Sequence, residues 1–150
     1  MRSLATRLQA VISHTSFLTR GIGLVYLWFG LLKFFPGLSP AEELAGTTIH
    51  LLSAGLLEPQ TGLLLLAVWE SAVGILLLSG FCRRCALDAA LVHIVFTFTP
   101  LFLLPELCFT RVPYGLTLVG QYIVKNIVFL GVMLALLHKD PFLQNKKRPL

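Results

Sequence analysis

The stretch that decides the fold reads Gln121-Tyr122-Ile123-Val124-Lys125-Asn126-Ile127-Val128-Phe129-Leu130. It lies within an apolar run over residues 116–138, and a helix needs only about 20 apolar residues to cross a bilayer. A lysine near the centre of such a span costs on the order of 2.5–3.5 kcal/mol on insertion scales. Lys125 therefore requires a partner or a function inside the membrane.

The composition of the whole chain is that of a membrane protein. Of its 150 residues, 56% are hydrophobic and only 13% are charged, which is too apolar for an ordinary soluble domain. The net charge of +5 comes from basic residues at the ends of apolar runs, where they carry topology information. We therefore expect membrane lipids as partners and no nucleic acid.

Four apolar runs approach bilayer-spanning length, over residues 16–35, 61–80, 86–104 and 116–138. Their short connections predict a single transmembrane domain of the all-α class, an integral membrane antiparallel four-helix bundle. Residues 1–14 are predicted as a short interfacial helix or an extension of the first span. Pro100 predicts a kink in the third span, and residues 105–114 are predicted as a polar loop.

Two local patterns refine this architecture. Gly23, Gly30 and Gly37 recur at heptad spacing, which lets another helix approach closely. Between the first two spans, Ser39 as N-cap and Glu42 three residues later form the pattern of a capping box. This predicts a short amphipathic helix over residues 40–57 at the outer face.

Charge asymmetry predicts the orientation. One side collects the basic residues Arg2, Arg7, Arg83, Arg84, Lys139, Lys146, Lys147 and Arg148. The other collects the acidic residues Glu42, Glu43, Glu58 and Glu106, with Arg111 as its one clearly exposed cation. The positive-inside rule then places both termini, the turn over residues 81–85 and the basic tail over residues 139–150 in the cytoplasm. The first run carries no small-residue cleavage pattern and is interpreted as a retained signal anchor.

Three ionisable residues, Glu70, His93 and Lys125, fall near mid-membrane. Glu70 and Lys125 are predicted to form an ion pair, because each would otherwise be an uncompensated charge in hydrocarbon. Gln121 shares a face with Lys125, whereas Asn126 lies about 100° round the helix and could bond to an adjacent helix. Two interpretations are open: the pair sets only the helix register, or it handles a proton or a ligand.

Further charges lie nearer the membrane boundaries. Arg20 and Asp88, one turn inside the cytoplasmic boundary, are predicted to form a second, structural ion pair. Lys33 lies near the outer boundary, where it either snorkels to the surface or draws an anionic or quinone-like head group towards Trp28.

The three cysteines are too few for a disulfide framework. Cys82-Arg83-Arg84-Cys85 has the spacing of a redox dithiol, and the arginines are expected to lower the thiol pKa. A single such pair cannot supply the four ligands of structural zinc, so no metal is expected. Cys108 is predicted on the opposite face, out of reach of the pair.

The residues Gly23-Leu24-Val25-Tyr26-Leu27-Trp28-Phe29-Gly30-Leu31-Leu32-Lys33-Phe34-Phe35 resemble the first helix of the DoxX-like superfamily. Glu70 with Gly74 is similar to the second-helix motif of that family. Lys125-Asn126 resembles the fourth-helix motif of its YkgB-type inner-membrane branch. The resemblance implies a small four-helix inner-membrane protein and links to quinone-coupled thiosulfate oxidation and to thiol and oxidative-stress systems. The cysteine pair lies outside the pattern.

The leading hypothesis is a membrane subunit of a redox or stress-response system that binds a small amphipathic ligand, such as a quinone, in the bundle. Lys33, Glu70, His93 and Lys125 would supply polar contacts, with Trp28 and Trp69 beside them. One alternative is a non-enzymatic membrane interaction or assembly factor. Another is a small proton-coupled transporter in which Glu70 titrates. Enzymatic activity, a partner subunit and homo-oligomerisation are left open.

Overall fold

The structure, a computed structural model, describes residues 4–138, and their side chains from residue 15 onwards. The predictions for residues 1–3, the Arg7 side chain and the basic tail over residues 139–150 lie outside the described residues. In chain order the elements are α1 (Leu4–Leu32), α2 (Glu42–Leu52), α3 (Pro59–Ser79), α4 (Arg83–Phe96), α5 (Pro100–Leu103), α6 (Pro105–Cys108), β1 (Phe109–Arg111), β2 (Gly115–Leu116) and α7 (Leu118–His138).

Four helical segments are long and apolar enough to cross a membrane: residues 15–32, 59–79, 83–103 and 118–138. The buried shares of these segments are only 28, 39, 28 and 17%, so most of their apolar side chains face outwards, as expected for contact with lipid. The prediction of an all-α, multi-pass membrane protein is confirmed at this level.

Helix ends follow from local chemistry. Pro59 occupies the first turn of α3, where its missing N–H costs no hydrogen bond. Gly80 ends α3 in the left-handed conformation, with φ of 74°, which a glycine adopts without strain. At the predicted kink, α4 ends at Phe96 and α5 begins at Pro100. The third span is therefore interrupted at the position where the kink was predicted.

The segment between the first two spans differs from the prediction. Helix α2 is shorter than residues 40–57, begins after Ala41, and has no side-chain cap. The predicted capping box is wrong, because the Glu42 carboxylate instead accepts a 2.7 Å hydrogen bond from the Gly37 N–H. Helix α2 packs against the start of α3, where Gly62 contacts Ile49.

The predicted polar loop over residues 105–114 also contains regular structure. It holds α6 and β1, and β1 pairs with β2 in an antiparallel hairpin. The Thr117 N–H donates to the Cys108 carbonyl oxygen at 3.0 Å, which closes the hairpin onto the start of α7. Residues 4–14 continue α1, in agreement with the predicted extension of the first span.

The main helix contact joins α1 and α3. A Cβ atom at Gly74 would lie 2.5 Å from the Leu27 backbone nitrogen, and one at Gly23 would lie 2.9 Å from the Leu77 Cβ. Glycine at these positions therefore permits close packing. Gly37 was predicted to extend this stripe, but it follows the helix with φ of 79°, and a Cβ atom at this position would meet no atom within 4 Å.

One apolar core joins all four long segments. Its buried members are Ile22, Tyr26, Val73, Leu77, Ala86, Leu87, Ala90, Ile94, Met133 and Leu136. Helix α1 also contacts α7, and α3 and α7 each contact α4. These contacts bring polar residues from different helices together.

Candidate functional site

The centre of the site is an ion pair between α1 and α3. Lys33 Nζ lies 2.6 Å from Glu70 Oε2, and the two side chains are only 6% and 8% exposed. Lys33 follows the last residue of α1, and its ammonium also donates to the Phe29 carbonyl oxygen at 3.3 Å. The charges neutralise one another in an environment where an isolated charge is expensive.

Gly30 allows the two helices to come close enough for this ion pair to form. A Cβ atom at this position would lie 2.7 Å from the Ser71 backbone nitrogen and 3.0 Å from the Glu70 Cβ. The backbones of α1 and α3 therefore approach closely beside the carboxylate. Ser71 Oγ, in the same contact, is buried without a hydrogen-bond partner among the described residues.

His93 extends the site to α4. Its Nε2 lies 3.5 Å from Glu70 Oε1, and its Nδ1 lies 3.1 Å from the Tyr26 hydroxyl oxygen. The Tyr26 hydroxyl donates to the Ala90 carbonyl oxygen at 2.9 Å. Together, Lys33, Glu70, His93 and Tyr26 form a connected group that we call the polar centre.

Helix α7 is joined to α4 by a second polar contact. Asn126 Nδ2 donates to Thr97 Oγ1 at 2.9 Å, and Thr97 directly follows the last residue of α4, one turn beyond His93. The Thr97 hydroxyl donates in turn to the Ile94 carbonyl oxygen at 2.6 Å. The predicted hydrogen bond from Asn126 to an adjacent helix is confirmed.

The predicted Glu70–Lys125 ion pair is wrong. Lys125 is exposed, and its ammonium lies 5.1 Å from the centroid of the Tyr122 ring on its own helix. Gln121 is exposed as well. The rotation of α7 explains the difference, because successive residues point about 100° apart. With Asn126 turned towards α4, Lys125 is turned outwards.

The two tryptophans that were predicted to lie beside the polar contacts are both exposed. The exposed fractions of Trp28 and Trp69 are 64% and 46%. Their rings therefore contribute mainly to the outer surface of the helices, where an aromatic ring suits a lipid environment.

The second predicted ion pair, Arg20–Asp88, is also wrong. Asp88 Oδ2 lies 3.9 Å from Arg84 Nε, one turn away on the same helix, and both side chains are about half exposed at 56% and 49%. Arg20 is exposed on α1. An exposed pair of this kind contributes little to stability.

The three cysteines differ in exposure. Cys82 and Cys85 are free thiols on the surface, and Cys108 is a buried free thiol. Cys82 directly precedes α4 and is in the left-handed conformation with φ of 45°. Burial raises the pKa of the Cys108 thiol, and the nearby Glu106 carboxylate raises that pKa further.

Tyr26 is the member of the polar centre that sequence reasoning missed. It lies seven residues before Lys33, and residues seven apart lie on nearly the same helix face. That spacing was the available signal. The spacing does not by itself assign Tyr26 to the site, because a tyrosine in an apolar run is equally well explained as a packing residue.

An apolar groove lies between α1 and α7. It has a volume of about 330 Å³ and is lined by α1 residues from Phe17 to Val25 and by Val128, Phe129 and Val132 of α7. Gly21 lines this groove and has no neighbour within 4 Å of the position of a Cβ atom. The missing side chain at Gly21 therefore helps to keep the groove open.

The polar centre combines an ammonium, a carboxylate, an imidazole and a phenol. Such a set can accept, hold and release a proton, and it can donate hydrogen bonds to a polar group that reaches it. His93, with a side chain 15% exposed, is more open than Lys33 or Glu70.

Comparisons of the chain with protein-family models, with curated proteins and with solved structures find no match.

Proposed function

We propose that this chain is a DoxX-like, multi-pass protein of the inner membrane that binds a small amphipathic, quinone-like ligand. It acts as the membrane subunit of a quinone- or thiol-linked redox system. The four spans form an antiparallel bundle with both termini in the cytoplasm. Support comes from four apolar segments of spanning length and from the basic residues Arg83 and Arg84 at the start of α4, next to the turn between two of these segments.

The observation that carries the proposal is the position of the apolar groove beside the polar centre. Ile22 and Val25 line the groove, and Tyr26 belongs to the polar centre through His93. Ile22 and Tyr26 are four residues apart and therefore lie on one face of α1, one turn apart. A ligand with an apolar tail in the groove would carry its polar head towards Tyr26.

The chemistry of the polar centre suits a quinone head group. Quinone carbonyl oxygens accept hydrogen bonds, and the hydroxyl of Tyr26, one residue after the groove residue Val25, is a donor of the polar centre. Binding sites for small molecules combine a mostly apolar lining with a few placed polar groups. The free thiols of Cys82 and Cys85 offer a separate point of contact with a thiol-based electron donor.

Two glycines provide a matched test of the groove. Neither Gly21 nor Gly131 has a neighbour within 4 Å of the position of a Cβ atom, but only Gly21 lines the groove. The Gly21→Leu and Gly131→Leu variants would be purified in lipid nanodiscs, and their binding of decylubiquinone would be titrated. We expect Gly21→Leu to weaken binding at least tenfold and Gly131→Leu to leave it unchanged.

Equal affinities of the two variants would reject the groove as the binding site. Absence of saturable binding by the unsubstituted protein would reject the quinone-like ligand itself. Leucine favours the helical conformation more than glycine does. If only Gly21→Leu binds the quinone more weakly, loss of folding would therefore not account for the difference.

A second candidate function is a non-enzymatic membrane interaction or assembly factor. One observation favours it: the charges of Lys33 and Glu70 already pair with each other at 2.6 Å, and both side chains are nearly inaccessible to solvent. A closed pair of this kind fixes the packing of α1 on α3 without any ligand. This candidate predicts no saturable quinone binding in the titration described above.

A further inference from the structure

The direction of one hydrogen bond defines the protonation of His93. The Tyr26 hydroxyl has a single proton, which it donates to the Ala90 carbonyl oxygen at 2.9 Å, because a carbonyl oxygen can only accept. The Tyr26 oxygen must then accept from His93 Nδ1, which lies 3.1 Å away. His93 Nδ1 therefore carries a hydrogen whether the ring is neutral or charged.

This assignment has a consequence at the other ring nitrogen. In a neutral ring with Nδ1–H, Nε2 presents a lone pair, and it faces Glu70 Oε1 at 3.5 Å. Two acceptors that face each other repel. A proton between them would create a charge-assisted hydrogen bond, for which the usual N···O distance is about 2.7–2.9 Å. The observed separation exceeds that range, as expected when the proton is absent.

The surrounding charges hold this arrangement in place. Lys33 Nζ lies 2.6 Å from the other carboxylate oxygen, Glu70 Oε2, and its positive charge favours the ionised form of the carboxylate. The Tyr26 hydroxyl faces His93 from α1. From α7, the neutral amide of Asn126 reaches Thr97 on the next turn of α4, whereas Lys125 lies outside over its own Tyr122 ring.

Two opposing effects therefore act on the space between Nε2 and Oε1. Without the proton, the Lys33–Glu70–His93 group is neutral, which burial favours. With the proton, the group carries a charge of +1, but the contact between the two acceptors becomes a hydrogen bond. Opposed effects of this kind produce a site that binds a proton reversibly.

We propose that His93 Nε2 and Glu70 Oε1 together form a binding site for a single proton inside the membrane-spanning region. The proton comes from water and returns to water, no electron is transferred, and the charge of the group changes from 0 to +1. The inference concerns the same polar centre as the proposed function, but it does not depend on the identity of any ligand.

The test is the protonation of His93 as a function of pH. The full chain, labelled with ¹⁵N at histidine, would be placed in lipid nanodiscs, and the ring signals would be assigned with His93→Gln. We expect Nδ1 of His93 to stay protonated at every pH while only Nε2 gains a proton on acidification. His50 provides an internal reference for Nδ1–H, since its Nδ1 lies 2.7 Å from the Leu57 carbonyl oxygen.

Two variants test the roles of the neighbours. Tyr26→Phe removes the acceptor of Nδ1–H, and we expect the neutral ring to become a mixture of both tautomers. Glu70→Gln supplies an amide donor to Nε2, and we expect protonation of His93 to require at least a tenfold higher proton concentration. Tyr26→Phe retains the Lys33–Glu70 pair, so the test survives if Glu70→Gln does not fold.

A neutral His93 with its hydrogen on Nε2 would overturn the proposal, as would a ring that stays neutral and unchanged down to the pH at which the protein unfolds. The proposed function fails separately. If Gly21→Leu and Gly131→Leu bind decylubiquinone equally while His93 titrates as expected, the ligand site is rejected and the proton site stands.

Discussion

Lys33 and Glu70 lie 37 positions apart in the chain and form an ion pair between the end of α1 and α3. The ammonium nitrogen and the carboxylate oxygen are 2.6 Å apart, and both side chains are nearly inaccessible to solvent. Lysine and glutamate are almost never fully buried unless paired. Gly30 lets the two helix backbones approach beside the carboxylate. The pair therefore links the close packing of α1 on α3 to the chemistry of the polar centre.

Removal of the Lys33 charge is expected to destabilise the protein far more than removal of the Lys125 charge. Lys33→Met leaves Glu70 buried without its cation, which typically costs about 3–5 kcal/mol. Lys125 is exposed, so Lys125→Met should change the free energy of unfolding by less than about 0.5 kcal/mol. Denaturant unfolding in mixed micelles measures both.

The double variant Lys33→Met/Glu70→Gln provides the control for this comparison. It removes both charges, so it should recover part of the stability lost in Lys33→Met. Equal destabilisation by Lys33→Met and Lys125→Met would contradict the assignment of Lys33 as the partner of Glu70.

A methyl group at Gly74 is expected to disturb the contact between α1 and α3. Its Cβ would lie 2.5 Å from the Leu27 backbone nitrogen, and overpacking of this kind costs roughly 1–3 kcal/mol. Gly21→Ala serves as the matched control, because its Cβ meets nothing within 4 Å. Thermal unfolding should give a lower Tm for Gly74→Ala and an equal or higher Tm for Gly21→Ala. The reverse order would exclude the close helix approach.

The hydrogen bond between Asn126 and Thr97 is expected to couple α7 to α4 weakly. Interhelical hydrogen bonds in membranes contribute about 0.6 kcal/mol on average. A double-mutant cycle with Asn126→Leu and Thr97→Val should return a coupling energy of roughly this size. Gln121→Leu, at an exposed position of α7, should show no coupling with Thr97→Val. Similar values for both cycles would indicate that the effect does not come from the hydrogen bond.

The thiols are expected to differ in reactivity and in its pH dependence. Cys82 and Cys85 are exposed and should react with a maleimide near neutral pH, whereas Cys108 is buried. Because burial and then Glu106 raise the pKa of Cys108, less of this thiol is ionised at a given pH. Its labelling in the folded protein should therefore require a pH above that at which a free cysteine ionises, about 8.5.

Mass spectrometry of the labelled protein identifies each site, and Cys108→Ala provides the control for background labelling. Labelling of Cys108 as fast as Cys82 at neutral pH would contradict its burial. In inverted membrane vesicles, a maleimide that does not cross membranes should label Cys82 and Cys85 from the cytoplasmic face. Labelling only in right-side-out vesicles would reverse the proposed orientation.

The sequence alone determined the class of the protein and the approximate positions of its membrane-spanning segments. Hydropathy over about 20 residues depends on composition and needs no knowledge of contacts. The same locality explains why the break before Pro100 was predictable, because proline acts on its own helix. The prediction of a capping box at Ser39 was wrong because the Glu42 carboxylate accepts a hydrogen bond from the Gly37 N–H instead.

Only the tertiary structure decided which charges meet. Sequence position gives the depth of a residue along a helix, and depth alone favoured Lys125 as the partner of Glu70. The rotation of each helix about its axis depends on packing against its neighbours. With Asn126 bonded to Thr97, Lys125 lies on the outside. Lys33 reaches Glu70 instead, because glycine at position 30 brings the end of α1 against α3.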